Sequence, residues 1–185
     1  MRALVVIVAL ALASLACDLT VGGPTPPASP IPVSTEAAGE LTNMWSAAAT
    51  AIPAGGEVSV TLTEAQITSF VALKLQEQPD APIQDVQVFL RDGKIQIFGN
   101  AQAGNVKTTA LVVIAVTVTP EGTVQFDAEK ADFGPLPVPG ALLDSLSSTL
   151  NEAFTGNLGS TASGLKITNV LIADGQMAIT GLFTR

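Results

Sequence analysis

The stretch from Val106 to Thr119, VKTTALVVIAVTVT, decides the fold class. It is a nearly unbroken run rich in β-branched residues, which favour strands, and would extend about 46 Å at 3.3 Å per residue. Its middle, from Ala110 to Val116, is apolar on both alternating faces, so we expect protein to cover both sides. The chain therefore contains one long, largely buried strand of a sheet.

Hairpin patterns lie on both sides of this strand. Before it, alternating apolar residues flank Asp92-Gly93, and near the end of the chain a similar pattern flanks Asp174-Gly175. Asp-Gly between alternating apolar residues is typical of a two-residue hairpin turn. Directly after the long strand, Val124, Phe126 and Ala128 alternate with polar residues, which predicts a returning strand with one solvated face.

Apolar spacings of three and four residues predict helices over 36–52, from Thr63 until Pro79, and from Leu142 to an end at Gly156. Thr63 and Gln66 have the spacing of a capping box at the start of the second helix. The predicted fold class is α+β, a long-stranded, curved antiparallel sheet with two or three helices packed on one face. Two helix-plus-hairpin units, 63–99 and 142–181, suggest an internal repeat. The alternative is that any two Asp-Gly hairpins look alike.

The N-terminal stretch MRALVVIVALALASLAC has the parts of an export signal, with Arg2 before an apolar segment and small residues before Cys17. Ser14-Leu15-Ala16-Cys17 resembles a lipobox, although Ser14 stands where leucine is usual. The alternative is an ordinary secretory signal that contains a cysteine. The predicted organisation is a lipoprotein signal peptide over 1–16, a lipidated Cys17 with a Pro-rich tether over 17–35, and a single α+β domain over 36–185.

This organisation predicts an extracytoplasmic protein that is anchored to the cell membrane by an acyl lipid, such as palmitate, on Cys17. The Pro-rich segment of 18 residues would hold the domain up to about 50 Å from the bilayer if it were extended. The chain is acidic, with a net charge of −8, which disfavours nucleic acid as a partner.

Catalytic side chains are scarce in this sequence. It has no histidine and no tyrosine, and its one cysteine lies in the predicted anchor, so we expect neither an enzyme, nor a cofactor, nor a metal site. Asp127, Glu129 and Asp132 offer carboxylates for Ca²⁺ or for paired-carboxylate catalysis. Such a run is more typical of a solvated strand edge.

A family resemblance rests on the order of these patterns. Leu62-Thr-Glu-Ala-Gln66 opens a helix, an Asp-Gly hairpin and a long paired strand follow, and Phe133-Gly-Pro-Leu-Pro137 precedes a Leu-rich helix and a closing Asp-Gly hairpin. From Glu57 to Phe183 the chain resembles the YpmS-type and LmeA-type extracytoplasmic proteins. The resemblance implies a TULIP-type lipid-binding fold, in which a curved sheet wraps a long helix and leaves an apolar groove.

Two functions follow as hypotheses. One is a lipoprotein that binds or transfers a lipid or other apolar molecule in a groove between sheet and helices. The alternative is a structural or interaction lipoprotein of the cell envelope with a filled core. The candidate ligand-lining residues, which are otherwise core residues, are Ile67, Phe70, Val71, Ala110, Val112, Leu142, Leu146, Leu150 and Phe154.

Overall fold

The computed structural model describes residues 19–20, 22–50, 56–77, 83–103, 106–138, 143–144, 147–148, 151 and 165–183. The elements in chain order are β1 (Leu19–Thr20), α1 (Thr35–Thr50), β2 (Glu57–Thr63), α2 (Glu64–Gln76), β3 (Gln84–Arg91), β4 (Lys94–Ala103), β5 (Val106–Val118), β6 (Val124–Asp132), β7 (Leu165–Ala173) and β8 (Gln176–Phe183). Within these ranges no helix is both long and apolar enough to cross a membrane.

The long strand β5 organises a five-stranded sheet. Its first part pairs antiparallel with β4, which in turn pairs with β3. On its other side, residues 111–118 pair antiparallel with β6, while β1 pairs in parallel with Val106 and Lys107. We call the end of this sheet where β1 lies the Leu19 end, and the opposite end, which carries the β3–β4 and β5–β6 turns, the Gly122 end.

The remaining strands form a second sheet of three strands in the order β2-β8-β7. The predicted α+β class is confirmed, but the strands form two sheets rather than the predicted single one. The reason lies in β2, which pairs along its whole length with β8, so that Glu57 lies opposite Leu182. Periodicity reveals that a segment is a strand, and it does not reveal a partner more than 100 residues away.

A backbone hydrogen bond connects the two sheets at the Gly122 end, where the N–H of Ile167 in β7 donates to the carbonyl of Gly122 at 2.9 Å. Within the smaller sheet, the N–H of Glu64 at the start of α2 donates to the carbonyl of Gly175 in the β7–β8 turn at 3.3 Å. The three-stranded sheet therefore lies against this end of the larger sheet. Both sheets and α1 contribute to one core, which includes Leu41, Val60, Leu62, Val88, Leu90, Val112, Ile114, Phe126, Ile172 and Ile179.

Local sequence explains the turns and the start of α2. Asp92 and Gly93 have φ of 56° and 72°, and Asp174-Gly175 is similar, as the predicted two-residue hairpin turns require. Thr63 caps α2 by accepting the N–H of Gln66, whose side chain accepts the N–H of Thr63 in return. The predicted capping box and both hairpins are confirmed.

The two faces of the strand β5 are covered to different degrees. Ala110, Val112 and Ile114 face the core and are at most 1% exposed. The residues between them, such as Leu111 and Val113, are only half-buried. The face opposite the core is therefore covered less completely than the core face, and α1 and α2 pack mainly on each other, on β2 and on β3.

The third predicted helix is described only in part. Residues 143–144, 147–148 and 151 are helical, and the hydroxyl of Ser148 donates to the carbonyl of Asp144 at 2.9 Å. Most of this helix lies outside the described residues. The internal repeat consequently stays a prediction, because its second helix cannot be compared with α2.

Candidate functional site

A cleft of about 350 Å³ lies between the C-terminal half of α2 and the start of β3. Its lining is half apolar and half polar. The lining residues are Val33, Ala72, Leu75, Gln76, Ile83, Gln84, Asp85, Val86 and Gln87. Small-molecule sites commonly occupy about 300–1,000 Å³, so this cleft is large enough for one hydrocarbon chain or a small polar group.

The polar side of the cleft contains amides and one carboxylate. Asp85 has a φ of 49°, and its carboxylate accepts a hydrogen bond of 2.9 Å from the side-chain amide of Asn100 on β4. The pairing of β3 with β4 shifts register between Gln84 and Gln87, which places this unusual backbone beside the cleft. Among the described residues that line the cleft there is no lysine or arginine.

One wall of the cleft comes from the Pro-rich segment before α1. We call residues 22–34 the N-terminal strap. At its beginning, the hydroxyl of Thr108 in β5 donates to the carbonyl of Gly22 at 2.9 Å. Towards its end, Ile31 exchanges two hydrogen bonds with the side-chain amide of Gln87 in β3. The strap therefore runs from the β5 side of the sheet to the β3 side and brings Val33 to the cleft.

Gly23 allows the close approach at the beginning of the strap. Its φ is 105°, which L side chains rarely adopt, and a Cβ at this position would lie 2.4 Å from the carbonyl oxygen of Thr109. At the other end, the N–H of Ser34 donates to the buried hydroxyl of Ser69 on α2 at 3.1 Å. These contacts show that both ends of the strap, residues 22–23 and 31–34, lie against the domain, although they belong to the predicted tether.

Two aromatic rings are buried on the face of the sheet that the end of the strap reaches. Register places Phe89 and Phe98 on the same face as Gln87, opposite Val88 and the core. The two rings are nevertheless only 3% and 6% exposed, and they pack edge to face with centroids 5.7 Å apart. This second apolar cluster shows that the sheet is covered on both faces at β3 and β4.

The free edge of β3 is covered by side chains of α2. Thr68 accepts the N–H of Val88 at 2.9 Å and donates to its carbonyl at 3.3 Å, and Glu64 accepts the N–H of Leu90 at 2.7 Å. Glu64 also forms an ion pair with Arg91. Because Glu64 and Thr68 are four residues apart, one helix face satisfies alternate backbone groups of the edge strand.

The opposite edge of the sheet is covered in the same way. Asn151 accepts the N–H of Phe126 at 2.9 Å and donates to its carbonyl at 3.0 Å. Ser147, four residues earlier, accepts the N–H of Ala128 at 2.9 Å. Hydrophobic periodicity found both helices, but it could not show that their polar residues bind strand edges.

The predicted ligand-lining residues fall into three groups. Ala110 and Val112 are in the core, at 0% and 1% exposure. Ile67, Phe70 and Val71 are half-buried and pack against the core. None of these five lines the cleft beside α2. The others, together with the anchor candidate, lie outside the described residues: Cys17, Leu142, Leu146, Leu150 and Phe154.

A much smaller apolar gap lies between α1 and the three-stranded sheet. It has a volume of about 10 Å³, which is close to the space of a single water molecule. The described residues that line it, which include Ala48, Val58, Val60 and Ile179, are all apolar or glycine. At this size it is a packing gap between core residues.

The acidic residues of β6 make separate local contacts. Glu129 forms an ion pair with Lys94, Asp127 accepts a hydrogen bond from Gln125 at 3.2 Å, and Asp132 accepts the N–H of Gly134 at 3.0 Å. In the part of the chain that the structure describes, no cluster of three or more acidic, histidine or cysteine residues is able to hold a metal ion.

Sequence reasoning missed the residues that line the cleft. Gln84, Asp85 and Gln87 belong to the start of a predicted hairpin strand, and their polar character gave no reason to assign them to a ligand site. The strap was interpreted only as a spacer. Gly22-Gly23 is the sequence feature that indicates docking of the strap, because paired glycines before a Pro-rich run permit a close approach of backbone to backbone.

The fold is α+β, and the cleft beside α2 combines an apolar wall with a polar rim. A family model described as LmeA-like phospholipid-binding matches residues 28–181, and the chain belongs to this family. No curated protein and no solved structure matches the chain. The family is a lipid-binding one, and the match begins within the strap.

Proposed function

We propose that this protein is an extracytoplasmic lipoprotein that binds a phospholipid or a similar amphiphile without catalysing its conversion. The family match over residues 28–181 carries the proposal. The lipobox-like Ser14-Leu15-Ala16-Cys17 supports a lipid anchor on Cys17, which would hold the domain at the membrane that supplies its ligand.

The cleft beside α2 is the proposed place for an apolar part of the ligand. Val33, Ala72, Leu75 and Val86 provide an apolar wall, and the polar rim beside them suits the boundary between an acyl chain and its headgroup. Each methylene removed from water contributes about 0.8 kcal/mol, so ten methylenes contribute about 8 kcal/mol before ordering costs.

The charge of the rim favours particular headgroups. Asp85 is the one charged side chain that lines the cleft in the described part of the chain. A carboxylate attracts an amine or a quaternary ammonium group and repels a bare phosphate. We therefore propose zwitterionic lipids over purely anionic ones.

The alternative function is a structural or interaction lipoprotein of the envelope. One observation favours it: Ala110, Val112 and Ile114 are sealed by the protein's own side chains, so this part of the sheet leaves no space for a ligand. Under this alternative the cleft is a surface depression that binds no lipid.

A pair of valine substitutions separates these functions. Val33 is 43% exposed and lines the cleft, whereas Val138 is 36% exposed and does not. We expect Val33→Trp to lower the affinity for a fluorescent phosphatidylethanolamine at least about tenfold, a loss of about 1.4 kcal/mol, because indole fills the opening. Val138→Trp is the control for adding an exposed indole and should bind like the parent.

Two results would count against lipid binding in the cleft. One is equal affinity in the two tryptophan variants, and the other is a parent protein that yields no phospholipid on organic extraction and takes none up. The anchor is tested separately. Labelled palmitate should enter the parent when it is expressed with its signal sequence, and Cys17→Ser should abolish incorporation.

A further inference from the structure

We propose that the Leu19 end of the five-stranded sheet faces the lipid bilayer, so that the cleft opens close to the membrane surface. The occupant of this surface is the headgroup layer of the bilayer itself. The inference rests on the proposed function in one respect, because it takes Cys17 as the point of attachment.

Strand register places β1 and the cleft at the same end of the molecule. Leu19 lies opposite Val106 at the beginning of β5. Gln84, which lines the cleft, lies opposite Asn100, and Asn100 lies opposite Thr109. Leu19 and Gln84 are therefore only three residues apart along the strand direction.

The distance between these residues follows from sheet geometry. Three residues correspond to about 10 Å along the strands, and the three strand spacings from β1 to β3 correspond to about 14 Å across them. Together they separate Leu19 from Gln84 by about 17 Å. The far end of β5 at Val118 is 12 residues beyond Val106, which is about 40 Å farther along.

The length of chain before β1 then fixes the position of the membrane. Two peptide units separate Cys17 from Leu19, and they span about 7 Å even when fully extended. A lipid on Cys17 therefore holds the Leu19 end within about 10 Å of the headgroups. If all 18 residues of the Pro-rich segment 18–35 were a free spacer, the same lipid would allow a separation of about 50 Å.

Two of the four large apolar side chains that are exposed in the described part of the chain lie at the same end, and the other two, Leu171 and Leu182, lie on the three-stranded sheet. Val33 is beside the cleft. Val138 ends the segment that begins at Phe133, and in this segment Gly134 packs on Gly23 and Thr108 near the start of β5. Both valines are more than one-third exposed. Apolar side chains beside a short anchor suit contact with a lipid surface.

The test measures energy transfer from two positions on the domain to the membrane. The chain from residue 17 to 185 contains every described residue and one thiol, so it can be coupled through Cys17 to a maleimide lipid in phosphatidylcholine vesicles. A fluorescent amino acid replaces exposed Asn100 near the Leu19 end or exposed Glu121 at the Gly122 end, and a headgroup-labelled lipid is the acceptor. Each variant must retain the circular dichroism spectrum of the parent.

We expect energy transfer from position 100 to be at least about threefold more efficient than from position 121, because the two positions lie about 30 Å apart along the strand direction. Inserting 20 Gly/Ser residues after Asp18 adds a coil of about 25 Å and should bring the ratio close to one. Equal transfer from both positions of the parent, or greater transfer from position 121, overturns the orientation. A ratio that the insertion leaves unchanged also overturns it, because the short chain is then not its cause.

Chemical coupling keeps this test independent of the natural anchor. The mass of the protein isolated from membranes reports whether Cys17 carries a natural lipid. If it does not, the proposed lipid anchor is refuted, and the coupled protein still measures the orientation that the short chain imposes. If Cys17 is naturally lipidated but transfer from position 100 does not exceed transfer from position 121, only the proposed orientation is overturned.

Discussion

Replacing Thr68 by valine tests whether α2 really supplies the hydrogen bonds of the β3 edge. Valine has nearly the same shape and a similar helix propensity, so the substitution removes the hydroxyl and little else. Thr68 and Val88 are both fully buried, and the single hydroxyl satisfies both the N–H and the carbonyl of Val88. A buried backbone group left without a partner costs about 1–3 kcal/mol, so the loss at both groups should destabilise the protein by about 2–6 kcal/mol.

Urea unfolding measures this free energy, and Thr42→Val is the matched control. Thr42 also lies on a helix and donates to a carbonyl four residues earlier, at 3.3 Å, but it is exposed. Water replaces that bond, so the control should change the free energy of unfolding by less than about 0.5 kcal/mol. If Thr68→Val costs no more than Thr42→Val, the edge of β3 does not depend on α2 for its hydrogen bonds.

Three further predictions address the strap, the β6 edge and an acidic turn. Gly23→Ala should destabilise the protein by about 1–3 kcal/mol, because alanine would have to adopt a positive φ and its Cβ would clash with Thr109. Gly39→Ala on α1 should instead stabilise the protein by about 0.5–1 kcal/mol, because a Cβ there has no neighbour within 4 Å. Urea denaturation measures both changes, and equal effects would contradict docking of the strap. Asn151→Ala should raise hydrogen exchange at the amide of Phe126 at least about tenfold, equivalent to 1.4 kcal/mol of protection, and unchanged exchange would show that the side chain does not cover this edge. Hydrogen bonds from its own backbone and from Thr119 lower the pKa of Glu121. The small contribution of this carboxylate to stability is therefore present above the ordinary glutamate pKa and is lost as the pH falls through the lowered value. A carboxyl NMR titration of Glu121 with a midpoint at or above that of free glutamate would refute this.

Local patterns predicted the elements of this fold well, because local forces determine them. The capping residues Thr63 and Gln66, and the turns at Asp92-Gly93 and Asp174-Gly175, act over two to four residues, and the structure confirms each of them. The family resemblance was likewise visible in the order of these patterns, and the family match confirms it.

Long-range pairing was the part that the sequence did not reveal. The split into two sheets depends on β2 finding β8, and periodicity carries no information about such a partner. The candidate ligand residues were chosen from apolar stripes, which mark the core first. The cleft instead depends on where α2 ends beside β3 and on Val33 being brought there by the strap.

The hydrogen bonds at the two sheet edges have a consequence for how fast a ligand exchanges. A lipid that entered by lifting α2 away from β3 would have to break three hydrogen bonds to Val88 and Leu90, and water could not easily replace those at Val88 because that residue is fully buried. Such an opening is rare and slow. If the protein binds lipid as proposed, exchange should therefore proceed through the cleft while the helices stay in place. The rate of exchange should then be insensitive to substitutions that loosen the helices at the sheet edges.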